Sequence, residues 1–118
     1  MILDANDDNY VNGKRAIFVD TYGNKDDNLV LEVSSDSDNI GFIYEDEKGN
    51  SSSDVVDTLT LNYKSYDKEV IVTKVVPVAK NDSNTKTKLL FKLTRNGEVV
   101  EQQVKSLTVY GNNYCLNN

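Results

Sequence analysis

The sequence has no histidine and no tryptophan, one cysteine and one proline among its 118 residues. Each shortage excludes something. Without histidine, and with the one thiol at Cys115 close to the end, the commonest nucleophile–base pairs cannot be assembled. The same absences leave no ligand set for zinc. A single cysteine makes no internal disulfide, so Cys115 reads as an incidental thiol rather than part of a framework. The six glycines are scattered singly, mostly at turns, so there is no glycine-rich phosphate loop. No apolar run approaches the length of a membrane span. Met1-Ile2-Leu3 runs straight into Asp4, Asp7 and Asp8, without the basic and apolar segments of a secretory signal. That start predicts a chain that stays where it is made or leaves with an assembled particle.

Positive charge is also in short supply. Nineteen acidic residues face thirteen basic ones, a net charge of −6. Such a chain repels phosphate backbones, which argues against nucleic acid as a partner. Lys86, Lys88, Lys92 and Arg95 do share one stretch. Glu98 and Glu101 return opposite them, so the expectation is charge pairing across a solvated hairpin. Apolar residues make up 38% of the chain, too few for a thick α/β core and enough for a thin two-layer fold. The length suits one domain.

What is present is alternation. Leu89, Phe91 and Leu93 alternate with Lys88, Lys92 and Thr94, the period-2 pattern of a strand with one buried face. Asn96-Gly97 then supplies the two φ > 0 residues of a tight type I′ hairpin turn, and Val99 to Tyr110 returns. Upstream, strands are predicted at Lys14–Tyr22, Leu29–Ser34, Ile40–Asp46, Val55–Tyr63 and Glu69–Val76, with Pro77 ending the last or sitting at an edge. Ala16-Ile17-Phe18-Val19 is apolar enough to be buried on both sides. In the returning arm Val100 and Val104 lie in one register and Leu107 and Val109 in the other, which predicts a β-bulge near Lys105-Ser106.

Seven strands ending in a long hairpin resemble the immunoglobulin-like sandwiches of bacterial surface proteins and phage virions. The residues that carry the resemblance are Lys88 to Val109. It implies an all-β antiparallel sandwich of about seven strands, with a jelly roll as the alternative. The chain lacks the tryptophan, the cysteine pair and the tyrosine corner of antibody domains. The expected layout is a polar N-terminal arm at 1–13, the domain at 14–110 and a short C-terminal tail at 111–118.

Candidate sites are few. Asp4, Asn6, Asp36 and Asp38 are hard oxygen donors of the kind calcium prefers, set in two clusters that could meet at one end of a sandwich, although turn-forming is their simpler role. No catalytic residue and no cofactor is expected. The apolar tips Met1, Ile2 and Leu3, with Tyr114 and Leu116, are the expected partner-binding residues, because apolar side chains on polar termini gain little in isolation. The expected function is therefore non-enzymatic: a structural subunit bound to other protein subunits, decorating a capsid or joining another part of a phage virion after synthesis in the host cytoplasm. The alternative is an extracellular, cell-surface adhesion or glycan-binding module, which would need a row of exposed tyrosines. Neither reading involves a membrane or nucleic acid.

Overall fold

The computed structural model describes residues 3–11, 14–22, 26–46, 51–52, 54–63, 70–81, 83–111 and 113–117, the backbone alone at 3–11, 14 and 70. Its strands are β1 (Leu3–Val11), β2 (Lys14–Tyr22), β3 (Leu29–Ser35), β4 (Ile40–Asp46), β5 (Leu59–Tyr63), β6 (Val70–Ala79), β7 (Thr85–Arg95), β8 (Glu98–Tyr110) and β9 (Asn113–Leu116). They form two antiparallel sheets, one in the order β1-β2-β6-β4 and one in the order β5-β3-β7-β8-β9. The first order is the A-B-E-D sheet of an immunoglobulin domain. Within the second, β3-β7-β8 is its C-F-G sheet. The chain is thus an immunoglobulin-like sandwich, not the double Greek key of a jelly roll. β5 is added outside β3, and β9 outside β8.

Seven strands were expected from β2 to β8, but the seven of the immunoglobulin frame are a different set. The first of them is β1, which occupies the stretch expected as a polar arm. It pairs with β2 from Leu3 opposite Thr21 to Val11 opposite Lys14, with a register shift around Asp8. Its sequence has no period-2 apolar pattern because an edge strand is held by its backbone ladder, and charge on it discourages further pairing. The expected tail likewise supplies β9, which pairs Asn113 with Tyr110 and Leu116 with Leu107. Gly111, at φ 62°, makes the tight reversal between them.

The core lies between the sheets. Ile17, Val19, Ile71 and Val75 from one sheet meet Leu31, Val33, Leu89, Phe91 and Leu93 from the other, and all are buried. Alternation does this: β5 and β7 bury every second side chain and expose or half-expose the rest. Buried threonines interrupt the apolar surface at Thr21, Thr73 and Thr87. Thr73 is satisfied by the Tyr63 hydroxyl and Thr87 by Ser35, at 2.6 Å.

Two expectations about strand interiors are corrected. The bulge is not at Lys105-Ser106. The register shift falls where Leu93 faces Glu101 and Thr94 faces Val99, so Val100 is the extra residue. From Glu101 to Val109 a single register holds, in which Glu101, Gln103 and Lys105 stand opposite inward-facing Leu93, Phe91 and Leu89. Val104 therefore points outward and is 58% exposed. Pro77 does not end β6 but lies inside it, opposite Phe42. Phe42 turns its own N–H and C=O to Val56, at 2.8 and 3.0 Å, so it asks nothing of the proline nitrogen. On the other side the pairing with β2 stops at Val75, leaving Pro77 at a local edge.

The hairpin turn has the expected geometry. Asn96 and Gly97 have φ of 52° and 89°. The Asn96 N–H donates to the Asn28 carbonyl, and the Asn28 N–H donates to Asn96 Oδ1, both at 2.9 Å. These two bonds tie the turn to the start of β3. The expected charge pairing is only part of what the hairpin does. Arg95 and Glu98 are cross-strand neighbours, but Lys92 reaches sideways to Glu32 on β3 at 3.4 Å.

Replacing Gly97 with Val is expected to destabilise the domain by more than about 1 kcal/mol, because a β-branched residue resists φ > 0. Equilibrium urea unfolding, read as a single transition, measures it; an unchanged midpoint would contradict the turn geometry.

Candidate functional site

The turn between β3 and β4 is the densest polar constellation among the described residues. Asp36 Oδ1 accepts the Lys88 N–H and the Thr87 hydroxyl, both at 2.9 Å. The Ser35 hydroxyl accepts the Ser37 N–H at 3.0 Å. Asn39 Nδ2 donates to Thr85 at 2.7 Å and to Asn81 at 3.1 Å. The Asp, Ser and Asn side chains here substitute for backbone partners, as such residues do in turns. Donation from Lys88 first, and then from Thr87, holds the Asp36 carboxyl below its ordinary value of 3.8.

Two hollows flank this turn. One, of about 320 Å³, is lined by Ser35, Ser37, Asp38, Asp57, Thr58 and Lys80. The other, of about 250 Å³, is lined by Asp36, Lys86, Thr87, Lys88, Ser106 and Asn117. Lys80 pairs with Asp57 at the wall of the first. Among the described residues no three acidic, cysteine or histidine side chains gather as a metal would require.

The two clusters offered to calcium do not meet. Asp4 and Asn6 lie opposite Asp20 and Phe18, and Asp20 in turn lies opposite Val72, near the start of β6. Asp36 and Asp38 precede Ile40, which lies opposite Ala79 at the end of β6. That places them at opposite ends of the sandwich, about 20 Å apart along the strands.

The terminal tips separate as well. Tyr114, expected at a partner surface, is fully buried in the domain's own core. Its hydroxyl donates to the Ala16 carbonyl at 3.1 Å. The Arg15 guanidinium lies 4.4 Å from its ring centre and donates to its carbonyl at 2.5 Å. The partner-binding assignment is overturned for this residue, because β9 presents it to the gap between the sheets. Leu116 stays at the surface, 40% exposed, beside exposed Cys115. Leu3 lies on β1 opposite Thr21. Met1 and Ile2 fall outside the described residues.

Sequence reasoning did not turn one feature into a site: the outward face of the four-stranded sheet. Val76 and Ala16 are buried there without belonging to the core between the sheets. Phe18, Ile43, Val72 and Val78 share that outward register and are half-buried. Lys74 crosses the patch, 5.9 Å from the Phe18 ring centre and 3.8 Å from Glu45. The signal was in the two-sided run Ala16–Val19. A sheet with one wet face is expected to alternate cleanly, and this one does not. Towards β4 the face is closed by Val55 and the Val56 carbonyl, which leave no room for a Cβ at Gly41.

Of the tyrosines read as a possible sugar platform, Tyr63 and Tyr114 are buried, and Tyr44 packs against the core. Tyr110 is exposed. Comparison with protein-family models, with curated proteins and with solved structures finds no match, so the chemistry rests on the geometry alone.

Two outcomes are expected. Tyr114→Ala should cost about 3–5 kcal/mol, the range for emptying a large aromatic site in a core. Removing residues 112–118 should likewise lower Tm sharply; an unchanged Tm would contradict the burial of Tyr114. For Asp36, the folded pKa lies below the unfolded one, so its contribution is present above about pH 3.8 and fades as pH falls through the folded value. Asp36→Asn should therefore lower Tm near neutral pH, with the difference from the native chain shrinking as pH falls below the ordinary carboxylate value. Thermal melts across pH measure the convergence.

Proposed function

We propose that the chain is a non-enzymatic structural subunit: an immunoglobulin-like sandwich that decorates or joins a larger protein assembly, with a phage virion as the setting. One observation carries the reading, the apolar outward face around Phe18, Ile43, Val72, Val76 and Val78. Contiguous apolar surface rimmed by polar residues marks protein contact surfaces, and on this sheet Asp20 and Glu45 adjoin the patch while Lys74 crosses it. The sandwich fold is compatible with the reading but hosts many functions, so it adds little by itself. The residues at the polar turn are occupied in holding the fold, which leaves the sheet face as the contact surface in this reading. Neighbouring protein subunits are the proposed partners. Phe18, Ile43, Val72 and Val78 are already half-buried, so a partner would gain only the remaining part of the roughly 1.5–3 kcal/mol that full burial of each is worth.

Val72→Lys tests this directly. Asp20 lies opposite Val72 and can pair with the new charge, so the isolated domain should keep its Tm. The native chain is expected to copurify with particles from its source, identified by mass spectrometry, and the variant to be lost from them. A chain absent from the particle fraction, or a variant incorporated as well as the native one, would overturn the proposal.

A further inference from the structure

An acidic chain has carboxylates to spare for its lysines, yet two lysines on β7 are left without one. Among the described residues Lys74 pairs with Glu45, Lys80 with Asp57 and Lys92 with Glu32, and Lys105 is engaged as well. Lys86 and Lys88, expected to pair across the hairpin, make no ion pair among the described residues. Both are exposed, and both line the hollow of about 250 Å³ beside the Asp36 turn. They share one face of β7, opposite Thr108 and Ser106. Their spacing of two residues sets their Cα atoms roughly 6–7 Å apart. Like charges held that close repel each other, and an anion between them would turn the repulsion into attraction. The acid in the lining, Asp36, does not fill that place, because its Oδ1 accepts the Lys88 N–H and the Thr87 hydroxyl. The rest of the lining adds donors. Asn117 is held by two bonds: its N–H donates to the Ser106 carbonyl at 2.9 Å, and its Oδ1 accepts the Thr108 hydroxyl at 3.0 Å. With that oxygen used, its Nδ2 donor is left unengaged among the described residues, as is the Ser106 hydroxyl.

We propose that this hollow binds one phosphate group, either the free anion or a monoester on a small molecule, between Lys86 and Lys88. The charge fits. A phosphate monoester carries about −1.5 to −2 at neutral pH, which answers two ammonium groups, whereas a carboxylate would answer one. The donors fit as well. Two ammonium groups, the Ser106 hydroxyl and the Asn117 amide face a ligand whose oxygens only accept. Lysines at this spacing can reach one tetrahedral anion together, each at a charge-assisted distance of about 2.7–2.9 Å. Asp36 serves as a positioning residue, since its bonds to Thr87 and to the Lys88 N–H fix the backbone between the two lysines. The net charge of −6 does not oppose a small ion at this place, because charges more than about 10 Å away are largely screened at ordinary salt. It does oppose a long polyanion, which would lie across the acidic surface too. The second hollow makes the contrast: its lysine, Lys80, is already taken by Asp57, and Asp38 stands in the same wall. The inference rests on this hollow alone and does not require the contact-face reading above.

The test is a titration of the full chain, labelled with nitrogen-15, at low salt with inorganic phosphate, with glucose 6-phosphate and with glucose as the uncharged control. Amide shifts at Lys86, Thr87, Lys88, Ser106, Thr108 and Asn117 should move together and saturate, with a Kd of about 1 mM or tighter, and glucose should move none of them. Tighter binding of glucose 6-phosphate assigns the monoester, and equal binding assigns the free anion; both outcomes uphold the site. Lys86→Gln with Lys88→Gln should leave Tm unchanged and weaken binding about tenfold or more, while Lys92→Gln on the same strand should bind as the native chain does. If the double variant loses Tm, Ser106→Ala decides, since it removes an unengaged hydroxyl and should still weaken binding about tenfold. Shifts that fail to saturate by about 20 mM phosphate, or that saturate elsewhere on the surface, overturn the proposal. Undiminished binding by a folded chain carrying both lysine substitutions, or by Ser106→Ala where that variant decides, overturns it too.

Discussion

Leu31 lies opposite Leu93 and Val33 opposite Phe91, and this register of β3 on β7 is the constraint from which most of the fold follows. It brings together residues sixty positions apart in the chain, at the loop-closure cost that makes all-β domains slow to fold. Once it is set, β7 carries β8 through the hairpin, β8 carries β9, and β3 carries β5. A slip of one residue would turn Leu89, Phe91 and Leu93 to solvent together, so the core specifies the register strongly. Polar contacts lock both ends of the pair: Asn28 with Asn96 at one end, and Asp36 with Thr87 and Lys88 at the other.

The polar clusters thus belong to the architecture more than to chemistry. Asp36, Ser37 and Asn39 satisfy backbone and side-chain groups at the crossing from one sheet to the other, where no ladder can reach.

Much of the fold was legible in the chain. The apolar runs located β3, β4, β7 and β8 to within a residue or two, and in β3 and β7 the alternation of buried with less buried side chains is the reason. The Asn96-Gly97 turn was legible because two consecutive φ > 0 residues have a narrow chemistry. The candidate contact face was half legible: the run Ala16–Val19 announced two-sided burial, but nothing local indicated that Ile43 and Val78 would join it. Charge pairing was misjudged at Lys92, whose nearest acid is on a strand sixty residues earlier.

By itself, then, the sequence determined the all-β class, the sandwich and the hairpin, since those depend on alternation and on backbone conformations that a few residue types impose. Tertiary structure alone decided the rest. β1 is a strand because β2 offers it a ladder, not because its own side chains alternate. Val100 takes the bulge because β7 fixes the register on both sides of it. Pro77 is tolerated inside β6 because the ladder between β2 and β6 has already stopped at Val75. Tyr114, two residues from an exposed leucine, is buried because Ala16, 98 residues away, accepts its hydroxyl while Arg15 covers its ring. Each of these depends on which strand arrives alongside, and a chain read in order carries no local signal of its neighbours.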